Sequence, residues 1–369
     1  MSDNLQSTSI GRLVLVMAAV VVVLAGIKAA SVIVVPFLLA LFIAIISQPL
    51  IAWFHRLGLP RALALVPVVG VIALIVILLA GLIVQSINDF ASKLPEYRER
   101  STEQFEWLAA RAETYNIALD WDFLQAQLDP SRAINITVNM LSGVGNFMTN
   151  LVIVLLIMVF MLSETRIVPT KIRLAFKSPQ RTMHNVESIL RAVNKYLALK
   201  TVISLVTGFI VGTGLWLLGI DHFLLWGVLA FMLNYIPNIG SILAAVPAVL
   251  MALIQFNPLM AGVVALLFLA VNVVMGNLIE PRVMGRGLGL STLVVFLSLL
   301  FWGWMLGPVG MLLSVPLTMM VKIALAENDS TKWVAIMLSG DEIEKVADNP
   351  EEHAESLVHT PVPPQEEKI

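Results

Sequence analysis

The chain has 369 residues, 58% of them hydrophobic and only 13% charged, with a formal net charge of -2 and a mean hydropathy of +0.89. So little polar side chain cannot cover a soluble globule, and the composition predicts an all-α protein that crosses a membrane several times. Cysteine is absent and the five histidines are scattered, which excludes thiol and disulfide chemistry and leaves no metal-ligand spacing, so no metal or cofactor is expected.

Residues 1–87 hold three uncharged runs, Leu13 to Ile27, Ala29 to Phe54 and Ala62 to Ile87, each near the ~20 residues that cross a bilayer as a helix. The first has the length of a signal-peptide core, but a second apolar run follows at once, so it is read as a retained span. Residues 88–132 differ. From Ile87 to Arg132 there are nine acidic and five basic residues, and Phe105, Leu108, Ala112 and Tyr115 share a helical face, which predicts an external helical subdomain. Residues 133–163 form the fourth apolar run.

Residues 164–200 are basic. Eight lysines and arginines stand against two acids between Ser163 and Lys200, which places this loop in the cytoplasm by the positive-inside rule. Met183, Val186, Ile189, Leu190, Val193 and Leu197 make an apolar stripe in it. That stripe fits an interfacial helix on an anionic leaflet or a helix packed on its own transmembrane domain.

Residues 201–326 read as the transport core. Phe223 to Phe256 is uncharged over 34 residues and as one straight helix would be about 50 Å long, against a hydrocarbon layer of about 30 Å. It is interrupted by Pro237, Gly240 and Pro247, and the run Ser291 to Val321 is interrupted by Gly307, Pro308, Gly310 and Pro316. The two breaks, "PNIGSILAAVP" and "PVGMLLSVP", form a weak internal repeat. Proline and glycine free backbone groups that lipid cannot satisfy, and paired broken segments are the sequence pointer to a transporter's substrate site. The candidate substrate-binding residues are therefore Asn234, Tyr235, Pro237, Asn238, Gly240, Ser241, Asn272, Asn277, Pro308, Gly310 and Ser314.

Charge chooses the topology. Arg282, Arg286 and Lys322 flank the second segment, whereas "GIDH" and "QFNP" beside the first carry no lysine or arginine. Hairpins re-entering from opposite sides keep those cations cytoplasmic, which gives six full spans, two hairpins and cytoplasmic termini; eight single spans are the alternative. Asn277 and Glu280 share a face if the helix continues that far, and Glu280 is expected to pair with Arg282 or Arg286. Gly208 with Gly212, and Gly303 with Gly307, have the spacing of close helix packing. Residues 327–369, with eleven acids against three lysines, read as a solvated cytoplasmic tail.

"PFLLALFIA" (36–44), "NYIPNIGS" (234–241), "EPRVMGRGLGLSTLVVFLSL" (280–299) and "GPVGMLLSVPL" (307–317) resemble the autoinducer-2 exporter family of bacterial inner-membrane proteins. The resemblance runs from about Leu13 to Ala326. It implies a multi-pass secondary transporter, a homo-oligomer, and the quorum-sensing signal autoinducer-2 as solute; a pentamer is a guess that no residue of the sequence fixes. Other members look like sodium/proton antiporters. No carboxylate lies inside a span, only Asp221, Glu164 and Glu280 at span ends, so a small neutral polar solute is favoured over cation exchange; a passive channel is the other alternative. There is no GxxxxGK[ST] phosphate loop and no nucleophile–base pair in a span, so neither ATP hydrolysis nor another enzyme activity is expected, and nucleic acid is not an expected partner.

Overall fold

The computed structural model describes residues 3–340, apart from 94, 98, 100–150, 166, 177–178, 238, 285–288 and 327–329. The described residues are helical, without a strand: α1 (Asp3–Ala29), α2 (Ser31–Arg56), α3 (Arg61–Ser92) and α4 (Leu151–Glu164), bent by 65° into α5 (Val168–Ala175). They continue as α6 (Pro179–Leu217), α7 (Phe223–Leu233), α8 (Ile239–Gln255) and α9 (Pro258–Asn272), which runs through a π turn (Val273–Ile279) into α10 (Glu280–Met284). Last come α11 (Thr292–Leu312), α12 (Ser314–Ala326) and α13 (Lys332–Met337). Among the described residues, five helices, α11 included, are long and apolar enough to cross a membrane by length and composition, or six with the bent α4–α5 pair. This is an all-α polytopic membrane protein. The face expected at Phe105, Leu108, Ala112 and Tyr115 lies outside the described residues.

Both broken segments turn back on themselves. Gln255, at the end of α8, accepts a hydrogen bond from the backbone N–H of Asp221 (2.9 Å) and donates to the carbonyl of Gly219 (3.0 Å); a straight helix would hold those positions about 50 Å apart. At the tip, a Cβ on Gly240 would lie 1.8 Å from the Leu233 carbonyl oxygen, so that position admits only glycine. In the second segment Gly307 takes φ 69°, ψ -152° inside α11, a conformation open to glycine and costly for other residues. The chain reverses there: Trp302 Nε1 donates to Thr318 Oγ1 at 3.0 Å, a pair about 24 Å apart in a continuous helix. Gly307 is thus the turn of a hairpin, and the Gly303–Gly307 spacing is not a helix-crossing motif. Lys322 Nζ closes the base by donating to the Gly289 carbonyl.

The two hairpins flank one full-length rod, Pro258–Val283. The first closes at Gln255, just before the rod begins, and the second starts at Gly289, just after it ends, so their open ends lie at opposite ends of a helix about 40 Å long.

Two boundaries differ from the sequence expectation. The basic segment 164–200 is not separate from the next span, because α6 runs unbroken from Pro179 to Leu217. Met183, Val186, Ile189, Val193 and Leu197 are half-buried or buried while Leu190 is exposed, so the stripe packs on its own domain; the apolar period simply continues into the span. The tail, too, is not solvated from residue 327 onward. α13 docks through buried Ala335, and the backbone closes on the second hairpin's base through Ser291 N–H to Leu338 C=O (3.3 Å) and Gly340 N–H to Gly289 C=O (3.4 Å).

Candidate functional site

The site is built on α6. α7 crosses it with the backbones in contact, since a Cβ on Gly208 would lie 2.7 Å from the Gly227 carbonyl oxygen and Gly212 faces the same residue; small residues permit this approach where lipid offers no hydrophobic drive. The crossing carries the hairpin tip down α6. There Asn234 Nδ2 donates to Ser204 Oγ (2.9 Å) and the Tyr235 hydroxyl donates to Thr201 Oγ1 (2.7 Å). α9 packs on the same helix, antiparallel to it, with Gly214 against Leu267 and Lys200 against Glu280.

A small cavity lies where α6, α7, α8 and α9 meet. Thr207, Asn234, Ser241 and Asn272 give its wall polar groups, and Val211, Ala244 and Phe268 are among the apolar remainder. It holds about 10 Å³, room for one water molecule. A groove of about 380 Å³ opens beside it between α8 and α9, lined by Ile242, Val246 and Leu269 and sharing Ser241, Phe268 and Asn272 with the cavity. The cavity wall carries no charge. It offers amide and hydroxyl groups, which both donate and accept hydrogen bonds.

Of the sequence-derived candidates, Asn234, Ser241 and Asn272 meet at this cavity. Tyr235 and Pro237 lie at the hairpin tip, half-buried, and Gly240 makes the turn possible. Asn238 lies outside the described residues. Asn277 is exposed. The second break is elsewhere: Pro308 is exposed, Gly310 is pressed against the Trp302 carbonyl, where its Cβ would lie at 2.0 Å, and Ser314 is fully buried with its hydroxyl donating to the Met311 carbonyl (2.9 Å). None of these three lines the cavity, because the two hairpins approach from opposite ends of the rod.

Glu280 pairs with Lys200, and not with the expected Arg282 or Arg286. The Lys200 Nζ to Glu280 Oε1 distance is 2.5 Å, with the lysine side chain 3% exposed and the glutamate 23%. Arg282 is exposed, and Arg286 lies outside the described residues. A π turn, Val273–Ile279, immediately precedes Glu280, and its wider winding shifts the register between the exposed Asn277 and the partly buried Glu280. Such turns concentrate at functional sites.

At the other end of α6, Asp221 Oδ2 accepts from Lys93 Nζ (2.8 Å) and from the Tyr97 hydroxyl (2.9 Å), tying α3 to the first hairpin's base. Burial alone would raise the Asp221 carboxyl, but these hydrogen bonds and the lysine charge outweigh it and hold the group below the usual carboxylate range. Its neighbour His222 has φ 58° and a buried Nε2 without a hydrogen-bond partner, and burial lowers the imidazole from its ordinary value.

Lys200, Thr201, Ser204 and Thr207 were not picked out from the sequence. The signal was present, as polar residues at three- and four-residue steps within an uncharged run after Lys200, but nothing in the order of residues says which face of α6 is buried.

Two hairpins whose breaks are satisfied by protein, the first of them enclosing a partly polar cavity with α6 and α9, are the kind of broken segments that mark a membrane transporter. The chain belongs to the AI-2E family of transporters: the family's model matches residues 17–328. It is 41% identical to the AI-2 transport protein TqsA of Escherichia coli K12, over 89% of this chain and 95% of TqsA. It is 42% identical to YhhT of the same strain, over 89% of this chain and 94% of YhhT. A transport-protein relative from Haemophilus influenzae is 40% identical over 92% of this chain and 98% of its own length.

Proposed function

We propose that this transporter moves a small, neutral, hydroxyl-rich solute of the autoinducer-2 kind through the cavity between the first hairpin, α6 and α9. The observation that carries the reading is the wall itself: Thr207, Asn234, Ser241 and Asn272, with no charged group among the lining residues. Amides and hydroxyls donate to and accept from the hydroxyls of a neutral polyol, whereas a proton-coupled cation exchanger usually uses a buried carboxylate, which is not among the lining residues. The name of TqsA, an AI-2 transport protein at 41% identity, supports the same solute class. The protein acts as a carrier and not as an enzyme. It resides in a bacterial inner membrane, as a homo-oligomer, with both termini in the cytoplasm. The excess of lysine and arginine between residues 163 and 200 supports that orientation.

Purified full-length protein in liposomes tests this with labelled autoinducer-2. Saturable uptake and counterflow are expected. Flux that rises linearly with concentration, without counterflow, would make the protein a channel, and no flux above protein-free liposomes would reject the solute.

A further inference from the structure

The buried face of α6 follows Leu197, Lys200, Ser204, Thr207, Val211 and Leu215, each 7% exposed or less. Three consecutive steps in the middle of that line are polar. This is where the first hairpin's tip lies: Tyr235 on Thr201, Asn234 on Ser204, and Thr207 in the cavity wall. One turn from Ser204 on the same line stands Lys200, paired with Glu280. A continuous line of polar groups therefore leads from the cavity to the ion pair, along one helix face. Each of these hydroxyls is paired: Thr201 and Thr207 donate to the carbonyls of Leu197 (2.6 Å) and Ile203 (2.9 Å) on their own helix, and Ser204 accepts from Asn234 (2.9 Å), so each keeps acceptor capacity that alanine would not offer.

We propose that this line is the solute's route out of the cavity, with Thr201, Ser204 and Thr207 as solute-contacting residues and the Lys200–Glu280 pair closing its far end. The proposal rests on the transporter reading of the cavity. Its chemistry is exchange. Ser204 and Thr201 accept hydrogen bonds from Asn234 and Tyr235 in this structure, and a hydroxyl-rich solute supplies the same donors when the hairpin tip withdraws. No group on the route is then left unsatisfied, which is the condition for a low barrier in a dry environment. The ion pair joins α6 to the end of the α9–α10 rod, so α6 and the rod separate there only when it parts. Because the carboxylate and ammonium are removed from water, each depends on the other.

The absence of cysteine makes the test direct. Ser204→Cys is introduced into the full-length protein in liposomes, and its rate of reaction with a small methanethiosulfonate reagent is measured. The rate is expected to be slow in this variant, at least tenfold faster when Glu280→Gln is added, and slow again in the Lys200→Glu/Glu280→Lys exchange. An unchanged rate with Glu280→Gln overturns the gate. If that variant does not accumulate, the exchange variant decides, since rapid labelling there rejects the pair as closure. Thr207→Val tests the route without touching the pair. At least a tenfold loss of autoinducer-2 uptake at wild-type membrane abundance is expected, and full uptake removes Thr207 from the path. Failure of the solute assignment is separate: it appears as no uptake by the unmodified protein, while the labelling rates, which need no solute, still report the gate.

Discussion

Gln255 holds Asp221: the glutamine Oε1 accepts the aspartate's backbone N–H at 2.9 Å across 34 residues of sequence. With its Nε2 on the Gly219 carbonyl at 3.0 Å, one side-chain amide closes the base of the first hairpin. Gln255→Leu keeps the volume and deprives two backbone groups of their partner, at a cost of ~1–3 kcal/mol. Thermal unfolding in detergent should register a lower midpoint. A midpoint equal to wild type would show that the base is held by packing alone.

The hairpin tips predict a contrast between glycines. Gly240→Ala would place a Cβ 1.8 Å from the Leu233 carbonyl oxygen, and Gly310→Ala one 2.0 Å from that of Trp302, whereas Gly262 has nothing within 4 Å. Backbone cannot yield that far, so the first two should cost more than the ~1–3 kcal/mol of ordinary overpacking, and Gly262→Ala should be silent. Membrane abundance of the three variants checks this. Equal abundance would mean that the turns are not as tight as described.

Asn272 and Asn277 lie five residues apart on the same rod, but only Asn272 reaches the cavity, while Asn277 is exposed. Asn272→Ala should reduce uptake by roughly tenfold, the scale of one lost hydrogen bond of about 1.4 kcal/mol, with unchanged abundance. Asn277→Ala should transport normally. The opposite ranking would put the solute on the other face of α9.

Asp221 gives the fold a pH dependence of known sign. Its carboxyl sits below the ordinary value of 3.8 in the folded protein, so its contribution is present above that value and lost as pH falls through the lower, folded one. Thermal stability should therefore drop on acidification below about pH 4, and Asp221→Asn should show a smaller drop because it has no charge to lose. The effect is modest, since the Lys93 and Asp221 side chains are 43% and 29% exposed. Parallel curves for the two proteins would show that the Lys93–Asp221 pair does not contribute to stability.

Sidedness can be read from single cysteines. Asn257 lies at the end of the rod beside the first hairpin's base, and Lys332 lies near the second hairpin's base; both are exposed. In intact spheroplasts an impermeant thiol reagent should label Asn257→Cys and reach Lys332→Cys only after the membrane is opened. Labelling of Lys332→Cys from outside would invert the proposed orientation.

Composition was enough to determine a polytopic helical membrane protein, because no other fold satisfies every backbone group in lipid without strands closing on themselves. The breaks were legible for a related reason: 34 uncharged residues containing Pro237 and Gly240 cannot form one straight span of a ~30 Å layer. The partners of those breaks were not. Lys200 meets Glu280 across 80 residues, and Asn234 meets Ser204 across 30, through helices whose rotation depends on the Gly208–Gly227 contact and on the π turn at Val273–Ile279. Helical periodicity tells which residues share a face. Which face turns inward, and what it meets there, is decided by packing between distant segments, and it is this packing that joins α6 to the first hairpin and sets the second hairpin apart from the cavity.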